Sequence, residues 1–205
     1  MNPVAYAALV DGRPVPVDEI DAREAALRAG NRASALPRPG TSEGRQLRRW
    51  LTQLAVAERV VEDEASARGL TGPDAPGLDE LLPDTASRLE IGSVAAATLD
   101  SERARAVFAA VTAAVDVSEA DVAAYHARNP MRFAQRKIGA DGWLGRPVAP
   151  SLEQARSAIA AHLRAAARRK LFRQWLDARC ASVVVLAPGY EHPGDPRQPD
   201  NTHKH

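Results

Sequence analysis

The chain has 205 residues and a formal net charge of +1, because 27 Lys and Arg nearly balance 26 Asp and Glu. This balance gives no indication of a nucleic-acid partner. Hydrophobic residues make up 45% of the chain and aromatic residues only 4%. Alanine is abundant, and small side chains let helices approach closely, so the composition favours a mainly α-helical fold with a buried core.

The sequence shows no membrane-spanning segment, no signal peptide and no pair of cysteines. No apolar run is long enough to span a bilayer, and residues 1–14 lack the basic and apolar regions of a signal peptide. The single cysteine, Cys180, excludes an intramolecular disulfide and fits a reducing compartment. We therefore expect a cytoplasmic protein that does not contact a membrane.

The N-terminal region predicts a β-hairpin followed by a short helix. Residues 5–17 form two β-prone runs around Asp11-Gly12, a dipeptide typical of tight hairpin turns. Pro14 and Pro16 restrict the second run to an edge strand, since proline has no N–H for a ladder. A short helix then continues to Gly30, and a linker rich in proline and glycine follows.

Residues 43–69 carry the clearest helical pattern in the chain. Their apolar residues recur every three or four positions, so they lie on one stripe of a long helix that must be buried. Gly69 is expected to end the helix, because glycine adopts a left-handed conformation easily. The stripe consists of Leu47, Trp50, Leu51, Leu54, Ala57, Val61 and Ala65.

The middle of the chain predicts shorter elements. Residues 70–92 are interpreted as a loop with one helical turn near Leu78, and residues 93–114 as helix broken near Asp100. Ser118 has Asp121 three positions later, which is the spacing of a capping box that opens another helix.

Residues 134–150 are interpreted as an exposed loop, which contains Trp143. Ser151 and Gln154 form a second capping-box pattern, which opens a long final helix. A strand is predicted at residues 183–186, and the proline-rich segment 188–205 as an extended tail outside a single domain of residues 1–187. The predicted buried side of the final helix consists of Leu152, Ala155, Ile159, Leu163, Ala166, Leu171, Trp175 and Ala178.

The order of these pieces resembles the N-terminal region of SurA and PrsA type chaperone-isomerases, which also resembles the arm region of trigger factor. The matching segments are AALVDGRPV, the long helix up to Gly69, VSEADVAAYHARNPMRF, and the final helix with its strand. The chain as a whole also resembles small actinobacterial SurA-like proteins. The resemblance implies a helical body in which the first strand lies beside the last one.

One departure from that family concerns activity. SurA and PrsA carry a parvulin prolyl isomerase domain between the helix that contains Tyr125 and the final helix. Here only residues 134–150 occupy that place, and a segment this short cannot form a domain with its own core. We therefore expect no prolyl isomerase activity.

The tail concentrates side chains that bind metals. Imidazole and carboxylate groups are common ligands of divalent transition metals. One hypothesis is a metal site with His192, His203 and His205 as ligands, completed by His126 or His162. The alternative is a mobile polar tail whose histidines bind nothing.

Three aromatic residues and one histidine are further candidates for function. Tyr125 and His126 are adjacent on a helix and are weak candidates for proton transfer, since a histidine titrates near neutral pH. Their alternative is a surface or packing role. Trp143, Tyr125 and Phe133 are candidate contacts for a partner protein. For Trp143, burial against the helical body is an equally good alternative.

Two other features have structural interpretations. Cys180 is expected to be unreactive, because the C-terminal end of a helix does not lower a thiol pKa. The final helix also carries a basic band that either binds phosphate or acidic peptide, or pairs with acidic residues of the first long helix. The band is Arg164, Arg168, Arg169, Lys170 and Arg173, and the acidic residues are Glu58, Glu62, Asp63 and Glu64.

The sequence leaves three hypotheses for function. The first is a chaperone-like module that binds a partner protein or an unfolded peptide segment. The second is a metal-dependent enzyme or accessory protein of a biosynthetic pathway, with a small-molecule substrate and the tail histidines as ligands. The third is a homodimer whose helical arms clasp each other in a structural role.

Overall fold

The computed structural model describes residues 5–31, 33–134 and 146–192. Within these ranges the chain is mainly helical and has one three-stranded antiparallel sheet, as the sequence predicts. The elements in chain order are β1 (Tyr6–Val10), β2 (Arg13–Pro16), α1 (Val17–Ala29), a 3-10 turn (Ala33–Ala35), α2 (Ser42–Ala67), α3 (Leu78–Leu81), α4 (Thr85–Ile91), α5 (Ser93–Thr98), α6 (Glu102–Val111), α7 (Glu119–Arg128), α8 (Leu152–Val183) and β3 (Val184–Leu186).

The sheet joins the N-terminal hairpin to the strand that follows α8. Asp11 and Gly12 have φ values of 49° and 74°, the left-handed pair that a tight hairpin turn requires. The strand order is β2-β1-β3, and both pairings are antiparallel. The predicted hairpin and the predicted pairing of the first strand with the last are therefore confirmed.

Helix α2 is the central element and packs against α1, α5, α6, α8 and β1. Thr41 caps its start, since its Oγ1 accepts a hydrogen bond of 3.1 Å from Gly44 N. Its end is set by Gly69 at φ 64°, and Leu70 N donates to Ala65 O at 2.8 Å. The end predicted at Gly69 is confirmed. The predicted stripe faces the core, although Leu47, Trp50 and Leu54 are only half-buried.

The stretch between α2 and α5 is more helical than predicted. Helix α3 matches the expected turn, whereas the sequence predicts a loop where α4 lies. Asp84 opens α4, because its Oδ1 accepts hydrogen bonds from Ser87 N (2.7 Å) and Ser87 Oγ (2.6 Å). Gly92, at φ 89°, ends α4 and starts α5. The predicted break near Asp100 separates α5 from α6.

Both predicted capping boxes are present, at Ser118 for α7 and at Ser151 for α8. The buried side of α8 differs from the prediction in its second half. Leu171 and Ala178 are exposed, whereas Phe172 and Leu176 are buried. The buried side of α8 includes Arg169, which is ion-paired with Glu90. The apolar residues that follow on this side therefore lie one position later than predicted.

Two hydrophobic clusters share α8. The main core joins the sheet, α1 to α6 and the second half of α8 around α2. A smaller cluster, which we call the α7 lobe, joins α7 to the first half of α8 around Val122, Ala155 and Ile159. No helix within the described residues is long and apolar enough to cross a bilayer.

Candidate functional site

An open groove runs along α2 between two helical walls. Its floor is a face of α2, one wall is α1, and the other is formed by the end of α5 and the start of α6. The groove has a volume of about 770 Å³. It spans Trp50 to Glu62 on α2, which is about 18 Å at the rise of an α-helix. The lining residues are Arg23, Ala26, Leu27, Trp50, Leu51, Leu54, Ala55, Glu58, Arg59, Val61, Glu62, Ala97, Thr98, Asp100, Ser101 and Ala104.

Alanine residues give the groove its depth. Ala26, Ala55, Ala97 and Ala104 come from four different helices and leave room between the backbones. Trp50 contributes an aromatic surface at one end. Its ring is held in place because Nε1 donates a hydrogen bond of 3.0 Å to Ser93 Oγ. The result is a preformed apolar depression.

Charged residues on the α1 side of the groove are paired with one another. Arg23 donates to Glu58 at 2.6 Å and to Glu19 at 3.1 Å. The hydrogen bond with Glu58 raises the pKa of Arg23 above its ordinary value, although burial opposes this shift. Arg59 pairs with Glu19 and also donates to Pro14 O at 2.7 Å. The apolar side chains are therefore the part of the groove most available to a ligand.

A second cavity lies at the end of α8, beside β3. It has a volume of about 670 Å³. Cys180 is half-buried there, and burial raises the pKa of its thiol to about 11. The thiol is therefore protonated at neutral pH, in agreement with the prediction that it is unreactive. The lining residues are Gln53, Ala57, Ile91, Gly92, Ser93, Val94, Ala95, Arg173, Leu176, Asp177, Cys180, Ala181, Val184, Leu186 and His192.

Tyr125 and Phe133 contact each other in the α7 lobe, and His162 of α8 packs against both rings. Tyr125 Oη and His162 Nε2 lie 3.2 Å apart, within hydrogen-bond distance. The ring centroids of Phe133 and His162 are 6.1 Å apart in an edge-on arrangement. Tyr125 therefore pairs with His162 rather than with its sequence neighbour His126. Neither Tyr125 nor Phe133 lines the α2 groove.

The candidate histidines lie in two separate places. His126 Nε2 is 2.9 Å from Pro150 O, so it carries the proton that this carbonyl accepts. His192 lines the cavity beside β3, together with Cys180. The α8 residues that line this cavity begin at Arg173, which follows His162 by 11 positions, or about 16 Å at the helical rise. His162 and His192 therefore cannot ligate the same ion.

Trp143, His203 and His205 lie outside the described residues. Within residues 5–31, 33–134 and 146–192, no group of three or more His, Cys, Asp or Glu side chains is placed to hold a metal ion. The predicted tail site thus stays a prediction.

Three arginines of the basic band of α8 are paired, but with partners other than those predicted. Arg169 donates to Glu90 at 2.7 Å, Arg164 to Asp116 at 3.2 Å, and Arg168 to Thr112 Oγ1 at 2.8 Å. The four acidic residues of α2 pair with arginines that do not belong to this band. One of these arginines, Arg179, also lies on α8 and is 3.8 Å from Glu64. These pairs are Glu58 with Arg23, Glu62 with Arg103, Asp63 with Arg13, and Glu64 with Arg68 and Arg179.

Comparison with known proteins identifies only the N-terminal part of the chain. A model for a family of unknown function, DUF7158, matches residues 6–43. These residues comprise the hairpin, α1, the 3-10 turn and the first residues of α2. Searches of curated proteins and of solved structures gave no match. The comparisons therefore assign no activity, and the geometry of the sites carries the argument for function.

Sequence reasoning did not find the α2 groove. The helical periodicity predicts Leu54 in the buried stripe, whereas it is half-buried and lines the groove. One feature of the sequence points to the groove: α5 and α6 are rich in alanine, whose short side chains leave space between neighbouring helices. The position of the walls depends on how α1 and α5 cross α2, which periodicity alone does not give.

Proposed function

We propose that the protein is a chaperone-like module that binds an apolar segment of a partner protein or unfolded chain in the α2 groove. The observation that carries this proposal is the groove itself, in which apolar side chains of α1, α2, α5 and α6 lie beside paired charges such as Arg23 and Glu58. Peptide-binding grooves of this kind bury apolar anchor residues and leave polar groups at the rim. The resemblance of the element order to SurA and PrsA type chaperones supports the same assignment.

The size of the groove defines what it would take. A length of about 18 Å matches three turns of a helix or about five residues of extended chain. Leu27 is 40% exposed on the α1 wall. An apolar side chain placed against Leu27 and Leu54 would remove their remaining exposed surface from water. Full burial of a large apolar side chain contributes about 1.5–3 kcal/mol, and these two partly buried leucines contribute a fraction of that. The expected affinity is therefore modest and has little sequence specificity.

A matched pair of leucine variants tests the proposal. Leu27 and Leu89 both lie in the last turn of a helix, but Leu89 is 75% exposed and does not line the groove. The probe is reduced, carboxymethylated lactalbumin labelled with fluorescein, and the readout is fluorescence anisotropy. We expect Leu27→Gln to weaken binding about fivefold or more and Leu89→Gln to leave it unchanged. Equal affinities for the two variants would rule out the groove.

The metal-dependent hypothesis remains open as a separate proposal and rests on His192, His203 and His205. Elemental analysis of the full chain, purified without a metal-affinity column, tests it directly. About one metal ion per chain, lost in a His203→Ala/His205→Ala double variant, would support an enzyme or accessory function. A metal-free chain would remove its basis.

A further inference from the structure

The two outer strands of the sheet present very different free edges. β1 lies between β2 and β3, so each outer strand has one edge that faces away from it. On β2, Pro14 is paired between the bonded positions 13 and 15 and so faces outward. It has no N–H, and its carbonyl already accepts from Arg59 at 2.7 Å. The edge of β2 is therefore closed to a further strand.

On the outer edge of β3 no further strand is paired among the described residues. Asp11 N donates to Val183 O at 2.8 Å, and Ala187 N donates to Ala7 O at 3.0 Å. Because bonded positions alternate in an antiparallel ladder, Val184 and Leu186 direct their backbone groups away from β1. Val184 N–H donates back to Cys180 O as the helix cap. Val184 C=O and both backbone groups of Leu186 then have no backbone partner among the described residues.

The cavity beside β3 lies on the core side of this edge. Val184 and Leu186 stand opposite Val10 and Ala8, which are fully buried, and both line the cavity. Val185 faces the other way and is 62% exposed. One wall of the cavity also carries Gln53, whose Nε2 atom is buried and has no hydrogen-bond partner within the described residues. A buried amide without a partner costs free energy unless a ligand accepts its hydrogen bond.

We propose that the β3 edge is a second binding site, which takes an extended peptide segment of a partner protein as a fourth strand. The free groups of Val184 and Leu186 form an acceptor, donor and acceptor series that an extended backbone matches. One apolar side chain of the peptide enters the cavity beside β3, and Gln53 Nε2 donates to a peptide oxygen there. The next side chain lies beside Val185 on the outer face.

Peptide addition fits this edge better than pairing with a second copy of the chain. β3 has three residues, which is about 10 Å of strand and matches a peptide segment of about three residues. A stable dimer interface needs about 20–30 residues from each partner. The site is also separate from the α2 groove, because its α2 residues, Gln53 and Ala57, do not line that groove.

Binding of short peptides to the full chain tests this site. The probe is a fluorescein-labelled heptapeptide of alternating valine and threonine, and its partner has the same sequence with three central amides N-methylated. We expect the methylated peptide to bind at least about tenfold more weakly, because it loses the backbone hydrogen bonds. Equal affinities of the two peptides, or no binding of either at millimolar concentration, would overturn the proposal.

Two Ala→Phe variants test whether the peptide occupies the cavity. Ala181 and Ala178 are both exposed near the end of α8, but only Ala181 lines the cavity. We expect Ala181→Phe to weaken binding about tenfold and Ala178→Phe to change it less than about twofold. Equal effects of the two variants would contradict the site, and circular dichroism checks that both are folded.

Two further measurements separate this site from its alternatives. Leu27→Gln should leave heptapeptide binding unchanged, and a loss would place the peptide in the α2 groove and overturn the second site alone. Analytical ultracentrifugation of the full chain should show no dimer that Ala181→Phe disrupts. Such a dimer would identify a second copy of the chain as the occupant and overturn the proposal.

Discussion

The main core and the α7 lobe are built on the same helix but differ greatly in size. In its second half, α8 buries Phe172 and Leu176 against a core that includes the sheet and α2. In its first half it buries only Ala155 and Ile159, against Val122 of α7. The first half therefore depends on a small cluster of apolar contacts.

This difference predicts that stability is distributed unevenly along α8. Regions with few buried apolar contacts open at a lower free-energy cost than the global unfolding transition. We expect the α7 lobe to open locally while α2, the sheet and the second half of α8 stay folded. Both proposed binding sites belong to the more stable region, since they are built on α2, α1, α4 to α6 and the end of α8.

The largest expected effect is the loss of an aromatic side chain from the main core. Phe172 is fully buried, and its ring centroid lies 5.1 Å from that of Phe108 and 5.6 Å from that of Trp175. Phe172→Ala should lower the free energy of unfolding by about 3–5 kcal/mol in urea denaturation. Leu171→Ala is the control and should cost much less, because Leu171 is exposed. Similar losses for both variants would contradict the position of the α8 stripe.

A substitution in the α7 lobe should act locally. Val122 is buried between α7 and α8, so Val122→Ala should destabilise the lobe by about 1–2 kcal/mol. Hydrogen exchange should speed up in α7 while the protection of α2 amides stays unchanged. Equal acceleration in α2 would mean that the two regions unfold as one cooperative unit.

Removing the cap of α7 should have a smaller effect of the same kind. Ser118 Oγ accepts from Asp121 N at 3.1 Å and completes a capping box. Ser118→Ala should cost about 1 kcal/mol and increase exchange in the first turn of α7. Ser157→Ala, on an exposed position within α8, is the control and should leave that turn unchanged. No difference between the variants would show that the box does not stabilise α7.

The smallest effect concerns acid stability in the main body. Burial by itself would raise the pKa of Glu24, but hydrogen bonds from Arg28 and Arg48 outweigh it and hold the pKa below its ordinary value. This contribution to stability is present above the unfolded-state pKa and is lost as the pH falls through the folded-state pKa. Glu24→Gln should therefore reduce the acid-induced loss of stability.

Urea denaturation at several acidic pH values provides the measurement. The control is Glu153→Gln, since the Glu153 side chain is 82% exposed. Its pH profile should match that of the unsubstituted chain. If Glu24→Gln leaves the dependence of unfolding free energy on pH unchanged, the ion pairs of Glu24 with Arg28 and Arg48 do not stabilise the fold as assigned.

Local chemistry accounts for the elements that could be predicted from the sequence. The Asp11-Gly12 turn, the capping boxes at Ser118 and Ser151, and the end of α2 at Gly69 each depend on a few neighbouring residues. The pairing of β1 with β3 is not given by local chemistry, because the two strands are far apart in the chain, and the sheet order confirms the predicted pairing.

The features that sequence reasoning missed depend on tertiary partners. The sequence predicts that Arg169 is exposed, because arginine is charged. In the structure it is buried, since Glu90 and Leu81 O accept its hydrogen bonds, and the apolar stripe of α8 is shifted. The Asp84 cap of α4 was hidden in a segment rich in proline and glycine. The α2 groove depends on the spacing between helices from distant parts of the chain, and residue spacing along one helix does not reveal it.

Photo-crosslinking from α2 tests the central claim, that the groove binds apolar segments of other chains. A photoreactive amino acid replaces Leu54 in the groove or, as the control, the exposed Leu89, and each protein is irradiated with the labelled unfolded lactalbumin. The account predicts cross-links from position 54 that an excess of unlabelled probe suppresses, and few from position 89. Equal cross-linking from the two positions, or none from position 54 when the probe is bound, would contradict it.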